Sequence, residues 1–309
     1  MSTLVTGGAG FIGRWIVKGL LSKRHRVVAL DNLSNGSLKN IREFANNQNF
    51  TFLKGDILGR KKLDIVFRKG IDACIHLAAQ INVQESIDRP ELTFENNIVG
   101  TYNVLEECRK NDAKLILVGT CMVYDMAVSR PINERHPLKP ASPYASSKLA
   151  GEELALSYCH AYGLPVVVTR PFNTYGPFQK SNLEGGVVSI FIQRTLEGKP
   201  LLVFGNGKQT RDLLYVEDCA DFVIRATFSK GAVGEVINAG SGRDVSINDL
   251  ALMICKDKRK IKHVPHLHPQ SEIRRLVCDY SKARRILNWR PKTSLEDGIK
   301  KTTQWLAST

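Results

Sequence analysis

Short runs of hydrophobic residues alternate with amphipathic stretches over the first two-thirds of the chain. The runs are continuously apolar, which is typical of parallel strands that are buried on both faces of a sheet. The stretches between them repeat apolar residues at the helical period, most clearly over 98–109 and 144–160. This alternation predicts βα units around a parallel sheet. The predicted strands are 3–6, 27–30, 51–53, 73–77, 115–118 and 166–169.

A glycine-rich turn follows the first predicted strand and precedes the first predicted helix. Gly7, Gly10 and Gly13 have the spacing G-x-x-G-x-x-G, a variant of the dinucleotide-binding fingerprint. Glycines at this spacing let the backbone approach a pyrophosphate at the amino end of a helix. Asp31 ends the second predicted strand, where a carboxylate accepts both hydroxyls of the NAD ribose and repels a 2′-phosphate. The pattern therefore predicts a Rossmann fold that binds NAD.

The alternation of strands and helices ends near residue 170, where Pro and Gly residues begin an irregular segment before a predicted helix at 187–196. We therefore predict an α/β fold with two parts. Residues 1–170 form a Rossmann domain with a doubly wound parallel sheet, to which a segment near 212–240 returns and adds a strand at 235–238. Residues 171–309 form a smaller, mixed C-terminal lobe that binds the substrate.

Composition adds a question about partners. The chain has 309 residues and a formal charge of +14, which suits either a nucleic acid or a substrate that carries a diphosphate. The densest basic run, 256–262, has no interleaved aromatic residues for base stacking, so we interpret it as a solvated surface loop.

No apolar run reaches the length of a membrane span, and the first residues do not resemble a signal peptide. Seven cysteines without a Cys-x-x-Cys pair fit a reducing compartment. We expect a cytoplasmic enzyme without a nucleic-acid or membrane partner.

A Tyr-x-x-x-Lys pair begins the predicted helix that follows Ser142 and Pro143. Tyr144 and Lys148 are four residues apart, so both side chains lie on one helix face. An ammonium group beside a phenol lowers the pKa of the phenol, because opposite charge favours the ionised form. The pair therefore predicts a base that takes a hydroxyl proton while hydride leaves to the nicotinamide.

These motifs resemble those of the extended short-chain dehydrogenases/reductases, the family of NAD-dependent nucleotide-sugar epimerases and dehydratases. The resemblance extends over nearly the whole chain and implies a UDP-sugar substrate. It also implies a homodimer formed by the two helices that follow Asn97 and Tyr144. The further matching segments are 31–36, 55–57, 76–79, 97–101, 170–177, 205–212, 279–283 and 288–291.

The resemblance implies roles for individual residues as well, and it requires no metal. A cluster of three histidines, His263, His266 and His268, is accordingly expected in a surface loop. Besides the three glycines, Asp31, Tyr144 and Lys148, the residues expected to contact NAD are Phe11, Ile12, Asn32, Asp56, Ile57, Ala78, Ala79, Asn97 and Pro171. The residues expected to contact the nucleotide sugar are Met122, Asn173, Val187, Val188, Arg211 and Arg274.

The segment after the fifth predicted strand departs from the family pattern. Thr120 matches the Ser or Thr that hydrogen-bonds the reacting C4 hydroxyl, but Cys121 and Met122 stand where dTDP-glucose 4,6-dehydratases have Asp and Glu. Those two residues protonate the departing C6 hydroxyl and remove the C5 proton. Methionine cannot carry a proton, whereas a thiol can donate one. The pattern favours oxidation at C4, return of hydride to C6 of a 5,6-unsaturated sugar, and protonation of C5 by Cys121.

Alternatives remain at this point. The Thr-Cys-x segment resembles that of the UDP-GlcNAc 5,6-dehydratase of tunicamycin synthesis. It also suits the second enzyme of a route to UDP-4-keto-6-deoxy-AltNAc on the pseudaminic acid pathway. A 4-epimerase of UDP-glucose or UDP-GlcNAc would need only Thr120, Tyr144 and Lys148, with Cys121 and Met122 as walls of the sugar pocket. A non-catalytic NAD- or RNA-binding member of the fold is a more remote alternative. Gly119 and Asp125 stand where the family more often has Ser and Gly, and the sequence explains neither.

Overall fold

The computed structural model describes residues 1–125, 131–181, 186–266, 269 and 273–309. The strands are β1 Ser2–Thr6, β2 Arg26–Asp31, β3 Phe50–Lys54, β4 Ala73–His76, β5 Lys114–Val118, β6 Val166–Pro171, β7 Asn173–Tyr175, β8 Leu201–Phe204, β9 Thr210–Tyr215, β10 Val236–Ala239, β11 Asp244–Ser246 and β12 Ile261–Val264. The α-helices are α1 Phe11–Ser22, α2 Arg60–Phe67, α3 Val83–Asp88, α4 Pro90–Phe94, α5 Gly100–Lys110, α6 Pro143–Tyr162, α7 Val187–Leu196, α8 Val216–Phe228, α9 Ile247–Cys255, α10 Ser281–Leu287 and α11 Leu295–Ala307. Short 3₁₀ turns lie at Leu38–Phe44, Cys121–Val123 and Lys258–Lys260, and a π-helical turn lies at Glu95–Val99.

The main sheet has seven parallel strands in the order β10-β6-β5-β4-β1-β2-β3. The predicted doubly wound α/β fold is confirmed, and each predicted strand lies within two residues of an observed one. The run that begins at residue 235 forms β10, which pairs with β6 and so returns the chain to this sheet.

Both faces of this sheet are covered, which explains why its strands are apolar without alternation. Helices α1 and α8 bury Ile16, Leu20 and Phe222 against one face. Helices α2, α5 and α6 bury a second cluster, including Leu63 and Leu105, against the other face. The carboxyl ends of the strands stay open between these layers, and the candidate site lies there.

The smaller lobe contains a mixed three-stranded sheet, β11-β9-β7, and a parallel pair, β12-β8. Helices α7, α9 and α11 enclose its core. The basic run 256–262 is exposed at its cations but is not a loop throughout, so that expectation was partly wrong: it includes a 3₁₀ turn and the start of β12. The reason is Ile261, which packs on the core of the lobe and pairs with Leu201. None of the described helices combines the length and apolar character needed to cross a bilayer.

Candidate active site

Two adjoining cavities open at the carboxyl edge of the main sheet, where doubly wound folds bind their ligands. The glycine-turn cavity is lined by the turn after β1 and by the ends of β2, β3 and β4. The Tyr144 cavity is lined by the ends of β5 and β6, by the start of α6 and by the smaller lobe. The two cavities share the wall residues Phe11, Ile12, Leu77, Ala79, Ile81 and Gln179.

The glycine turn leaves no space for side chains. Gly7 has a φ of +70°, and a Cβ there would lie 3.0 Å from the backbone nitrogen of Ala78. A Cβ on Gly13 would lie 2.1 Å from the carbonyl oxygen of Gly7. Helix α1 begins at this turn, and no side chain caps its amino end. Its first N–H groups therefore face the cavity, as a pyrophosphate-binding site requires.

Asp31 closes the far end of the glycine-turn cavity with a fixed carboxylate. Its two oxygens accept hydrogen bonds from the backbone N–H of Ala9 at 3.0 Å and of Leu33 at 2.8 Å. Burial raises the pKa of this carboxyl group, while the two hydrogen bonds act in the opposite direction. A Cβ on Gly36 would lie 2.9 Å from both carboxylate oxygens, so a glycine at 36 leaves them uncovered. This arrangement fits a ribose diol.

The predicted cofactor residues line either the glycine-turn cavity or the Tyr144 cavity, with one exception. Asn97 lines neither cavity, because it is buried behind the wall and its side-chain oxygen accepts a hydrogen bond from Gln80 N at 2.7 Å. Its Nδ2 donates to Gln80 O at 3.0 Å and to Ser147 Oγ at 2.9 Å. These bonds support the chain around Gln80, and the expected contact of Asn97 with NAD stays a prediction. The glycine-turn cavity is lined by Gly7, Gly10, Phe11, Ile12, Gly13, Asp31, Asn32, Asp56, Ile57, Ala78 and Ala79.

The Tyr144 cavity brings together the residues expected to carry the chemistry. Thr120, Cys121 and Met122 turn away from the end of β5, and Thr120 Oγ1 accepts the N–H of Met122 at 3.2 Å. Helix α6 starts opposite, where Ser142 Oγ accepts the N–H of Ala145 at 3.2 Å. The first two turns of α6 carry Tyr144 and Lys148 into the cavity. The cavity is lined by Thr120, Cys121, Met122, Tyr144, Lys148, Pro171, Asn173 and Arg211, among others.

The electrostatics of the Tyr–Lys pair differ from the prediction. Burial raises the pKa of Tyr144 to about 12, and a hydrogen bond with the Thr120 side chain acts against this rise. Lys148 does not lower it here, because its ammonium group donates to the carbonyl oxygen of Val118 at 2.7 Å. Burial also lowers the pKa of Lys148 to about 8. In this arrangement the phenol keeps its proton near neutral pH.

Cys121 is a buried thiol within the cavity wall, with 2% of its surface exposed. Its Sγ lies 3.9 Å from Asn173 Oδ1, to which it donates a weak hydrogen bond. Burial raises the pKa of Cys121 to about 12, although the charge of Arg211 acts to lower it. The thiol is therefore a proton donor at neutral pH and not a thiolate.

Three of the predicted substrate residues lie elsewhere. Val187 and Val188 begin α7 outside both cavities, and Val188 is buried in the core of the smaller lobe because its helix must cover that core. Arg274 is exposed and does not line the Tyr144 cavity. Arg275 pairs with Asp244 at 2.7 Å. The predicted substrate arginine that does line the cavity is Arg211, whose Nη1 donates to Ile273 O at 2.8 Å.

The sequence reading missed His266 as a cavity residue. His266 lies in the loop after β12, as expected, but it is half-buried, because the pairing of β12 with β8 brings this loop to the Tyr144 cavity. His263 lies in β12 and bonds Asn248 Oδ1 at 3.0 Å, while His268 lies outside the described residues. Within the described ranges, no three His, Cys, Asp or Glu side chains are grouped to hold a metal ion.

Comparisons with known proteins agree with this geometry. The family model described as GDP-mannose 4,6 dehydratase matches residues 4–302. The chain is 57% identical to Pal from Bacillus thuringiensis, with a TM-score of 0.97 over 100% of this chain and 99% of that chain.

Two further relatives have names that state a reaction or a bound cofactor. A UDP-glucose 4-epimerase of Mycolicibacterium smegmatis is 36% identical over 309 residues, which are 99% of this chain and 98% of the relative. The UDP-glucuronic acid 4-epimerase of Bacillus cereus, crystallised with UDP-glucuronic acid and NAD, is 32% identical, with a TM-score of 0.93 over 100% of this chain and 99% of that chain. The chain therefore belongs to the GDP-mannose 4,6-dehydratase family of NAD-dependent nucleotide-sugar epimerases and dehydratases, and it is an enzyme of that oxidoreductase type.

Proposed function

We propose that the enzyme converts a 5,6-unsaturated UDP-sugar to a 4-keto-6-deoxy sugar by internal redox through C4. The observation that carries this proposal is the buried, protonated thiol of Cys121 beside Thr120 and Tyr144, next to Met122. A 4,6-elimination needs an acid and a base at these two positions, and methionine is neither. A thiol whose pKa is raised to about 12 carries its proton at neutral pH and so has one proton to donate.

The residues of the glycine-turn cavity would hold NAD, with Lys148 at the nicotinamide ribose. When bound, NAD supplies the acceptor for the C4 hydride and its return to C6. Thr120 orients the C4 hydroxyl, and Tyr144 Oη takes its proton once a positive charge lowers the pKa of the phenol. Lys148 is one turn later on the same helix face and supplies that charge when its ammonium group turns from Val118 towards the phenol.

The proton balance closes within the Tyr144 cavity. Tyr144 starts the cycle as a phenolate, its own proton having passed to solvent when Lys148 turns towards it. The substrate then loses a proton from O4 to this phenolate and gains one at C5 from Cys121 Sγ. Tyr144 then returns its proton to the thiolate of Cys121, so the residues regain their starting state. The hydride that leaves C4 equals the hydride that reaches C6. The net reaction is an isomerisation that consumes no NAD.

The substrate class rests on resemblance and on charge. Relatives act on UDP-glucose and UDP-glucuronic acid, as their names state. Arg211 and Asn173 line the Tyr144 cavity and would contact a sugar diphosphate there. The Thr120–Met122 segment resembles enzymes that handle UDP-GlcNAc derivatives. We therefore propose a substrate derived from UDP-GlcNAc and a product of the UDP-4-keto-6-deoxy-AltNAc type, on the pseudaminic acid pathway.

A 4-epimerase is the second candidate, and one observation favours it. Thr120, Tyr144 and Lys148 all line one cavity, and they suffice for reversible oxidation at C4. The relative from Mycolicibacterium smegmatis is named for that activity on UDP-glucose. In this case Cys121 would contact the sugar without exchanging a proton with it.

Proton NMR in D2O separates the two candidates. The enzyme is incubated with UDP-glucose, UDP-GlcNAc and a 5,6-unsaturated derivative of UDP-GlcNAc. We expect the third compound to give a 6-deoxy-4-keto product with deuterium at C5, and Cys121→Ala to lose that product while Cys159→Ala forms it. Interconversion of gluco and galacto forms with no deuterium at C5 would instead establish the epimerase.

We also propose a cytoplasmic homodimer without a nucleic-acid or membrane partner. Helices α5 and α6 pack side by side on the outside of the main sheet. Large apolar side chains stay exposed next to them, with 55% of Phe94 and 59% of Tyr162 accessible. Light scattering should give twice the chain mass, and Phe94→Asp should give the monomer. RNA affinity at physiological salt would contradict the proposal on partners.

A further inference from the structure

Helix α6 carries a third ionisable side chain, one turn beyond Lys148. Glu152 is completely buried, and Arg170 on β6 donates from Nε at 2.9 Å and from Nη2 at 2.7 Å. Both of these bonds reach the same oxygen, Oε2. Among the described residues, the other oxygen, Oε1, has no hydrogen-bond partner. A buried carboxylate oxygen without a partner is costly, so its place in this site calls for an explanation.

The backbone at Gly119 is what admits this oxygen. A Cβ on Gly119 would lie 2.1 Å from Glu152 Oε1, so the carboxylate occupies the space where any other side chain would begin. The preceding residue, Val118, offers its carbonyl oxygen to Lys148 Nζ at 2.7 Å. The ammonium group and the carboxylate oxygen without a partner therefore meet two consecutive residues at the end of β5.

We propose that Glu152 is a positioning residue that keeps Lys148 protonated inside the site, and that Gly119 is the residue that admits it. The proposal rests on the proposed C4 oxidation only, which the internal redox reaction and the 4-epimerase share. Glu152 touches neither the substrate nor NAD in this account. It acts through the charge of Lys148.

The surroundings of Lys148 support this role. Burial lowers the pKa of Lys148 to about 8, and the charge of Glu152 acts to raise it. Burial lowers the pKa of His76 on β4 to about 3, so this side chain is neutral. Tyr144 and Cys121 are also neutral, because burial raises the pKa of each to about 12. The two nearby cations are Arg170 on β6, which pairs with Glu152, and Arg211 on β9, which lines the Tyr144 cavity. Glu152 is the charge that acts on Lys148, and it supplies the negative charge that favours the ammonium form.

The test is the titration of Lys148 in the purified holoenzyme, followed by NMR of 13C-labelled lysine ε-carbons and assigned with Lys148→Arg. We expect a midpoint near pH 8 in the parent enzyme. Glu152→Gln should lower that midpoint by about one unit or more, because a buried ammonium group loses its opposite charge. Glu153→Gln is the matched control, since it removes the same charge from the adjacent, exposed position and should leave the midpoint unchanged.

Glu152→Gln also removes the charged partner of Arg170. If this loss unfolds the protein, two more variants test the proposal. Gly119→Ala keeps every charge but displaces the carboxylate, and it should lower the Lys148 midpoint as well. Glu152→Asp keeps a carboxylate near Arg170 and should restore part of the shift. A Lys148 midpoint that is unchanged in Glu152→Gln, or in Gly119→Ala where the first variant does not fold, would overturn the proposal and leave Glu152 as a partner of Arg170 only.

The activity profile gives a second readout. The alkaline limb of C4 oxidation should move to lower pH in Glu152→Gln and Gly119→Ala, with the Glu153→Gln profile unchanged. The NMR titration needs no turnover, so it remains valid even when the 5,6-unsaturated compound is not a substrate. Failure of the proposed reaction and failure of this inference are therefore distinguishable.

Discussion

The glycine-turn cavity and the Tyr144 cavity adjoin each other but are built in different ways. The first is formed mainly by short segments that follow strands of the main sheet, with Asn96, the 178–180 segment and Gly186 added from elsewhere. Its main-sheet residues would bind mainly through backbone groups and the carboxylate of Asp31. The second is assembled from the ends of β5 and β6, the start of α6 and three separate segments of the smaller lobe. A local motif therefore specifies the first cavity, whereas packing between distant segments specifies the second.

The largest expected effect is a loss of turnover that changes the Tyr144 cavity and leaves the glycine-turn cavity intact. Tyr144→Phe should reduce turnover by about 10²–10⁴-fold, because it removes the group that exchanges the C4 hydroxyl proton. NAD content should remain that of the parent, since the glycine turn is untouched. Turnover and bound NAD are measured on the same preparation. A Tyr144→Phe enzyme with near-parental turnover would contradict the assigned role.

The converse variant acts on the glycine turn. Gly13→Ala places a Cβ 2.1 Å from Gly7 O, so the turn must open and lose its fit to a pyrophosphate. We expect the purified variant to contain at least about tenfold less bound NAD than the parent enzyme, because the phosphate site at the helix terminus is lost. Gly231→Ala is the control, because nothing lies within 4 Å of its Cβ position. Equal NAD content in both variants would argue against the turn as the phosphate site.

The pH dependence belongs to the Tyr144 cavity. Lys148 must be protonated to lower the phenol pKa, and its own pKa is about 8. Turnover should therefore be full below pH 8 and fall about tenfold per unit above it. Cys121, with a pKa of about 12, stays protonated throughout this range and adds no second limb. A steady-state profile that rises between pH 8 and 9 would be inconsistent with this assignment.

Two arginines test the proposed substrate site. Arg211→Ala should raise KM by about tenfold or more, as expected for loss of a charge-assisted hydrogen bond to a phosphate. Arg274→Ala should leave KM unchanged, because this exposed side chain lies outside the Tyr144 cavity. The comparison uses one substrate at saturating and limiting concentrations. A raised KM in Arg274→Ala as well would support the assignment of both arginines made from sequence, and an unchanged KM in Arg211→Ala would contradict the role of Arg211.

The smallest expected effect is on the rate of NAD release, and it concerns the part of the glycine-turn cavity wall that Phe178 forms. Phe178 lines the glycine-turn cavity, with the guanidinium of Arg14 3.9 Å from its ring centre and the ring of Trp305 at 4.9 Å. Trp305→Ala should speed NAD release several-fold, since an aromatic pair contributes about 0.5–1.5 kcal/mol. Thr303→Ala on the same helix is the control. Identical release rates would mean that α11 does not stabilise the cofactor wall.

The sequence predicted the glycine-turn cavity almost completely for a physical reason. Spacing along one strand–turn–helix unit determines where Gly7, Gly13 and Asp31 lie, since their distances depend on local geometry. Asn97 lies outside both cavities, because the π-helical turn at Glu95–Val99 brings Asn96 to the glycine-turn cavity instead.

The Tyr144 cavity was predictable only where its residues belong to such units. Tyr144 and Lys148 follow from helix periodicity, and Thr120 and Cys121 from the end of a strand. Val188, Arg274 and His266 depend on how the smaller lobe packs, which no local pattern in one sequence determines. Gly119 also became interpretable only beside Glu152, a residue 33 positions away.

The most direct test of the central claim is the isotope content at C5 of the product. The enzyme is incubated in D2O with the 5,6-unsaturated UDP-GlcNAc derivative, and the product is analysed by proton NMR and mass spectrometry. We expect one deuterium at C5, delivered from the exchanged thiol of Cys121, and no solvent deuterium at C6. A product that forms at the same rate with Cys121→Ala, or the absence of any product beside active 4-epimerisation, would contradict the account.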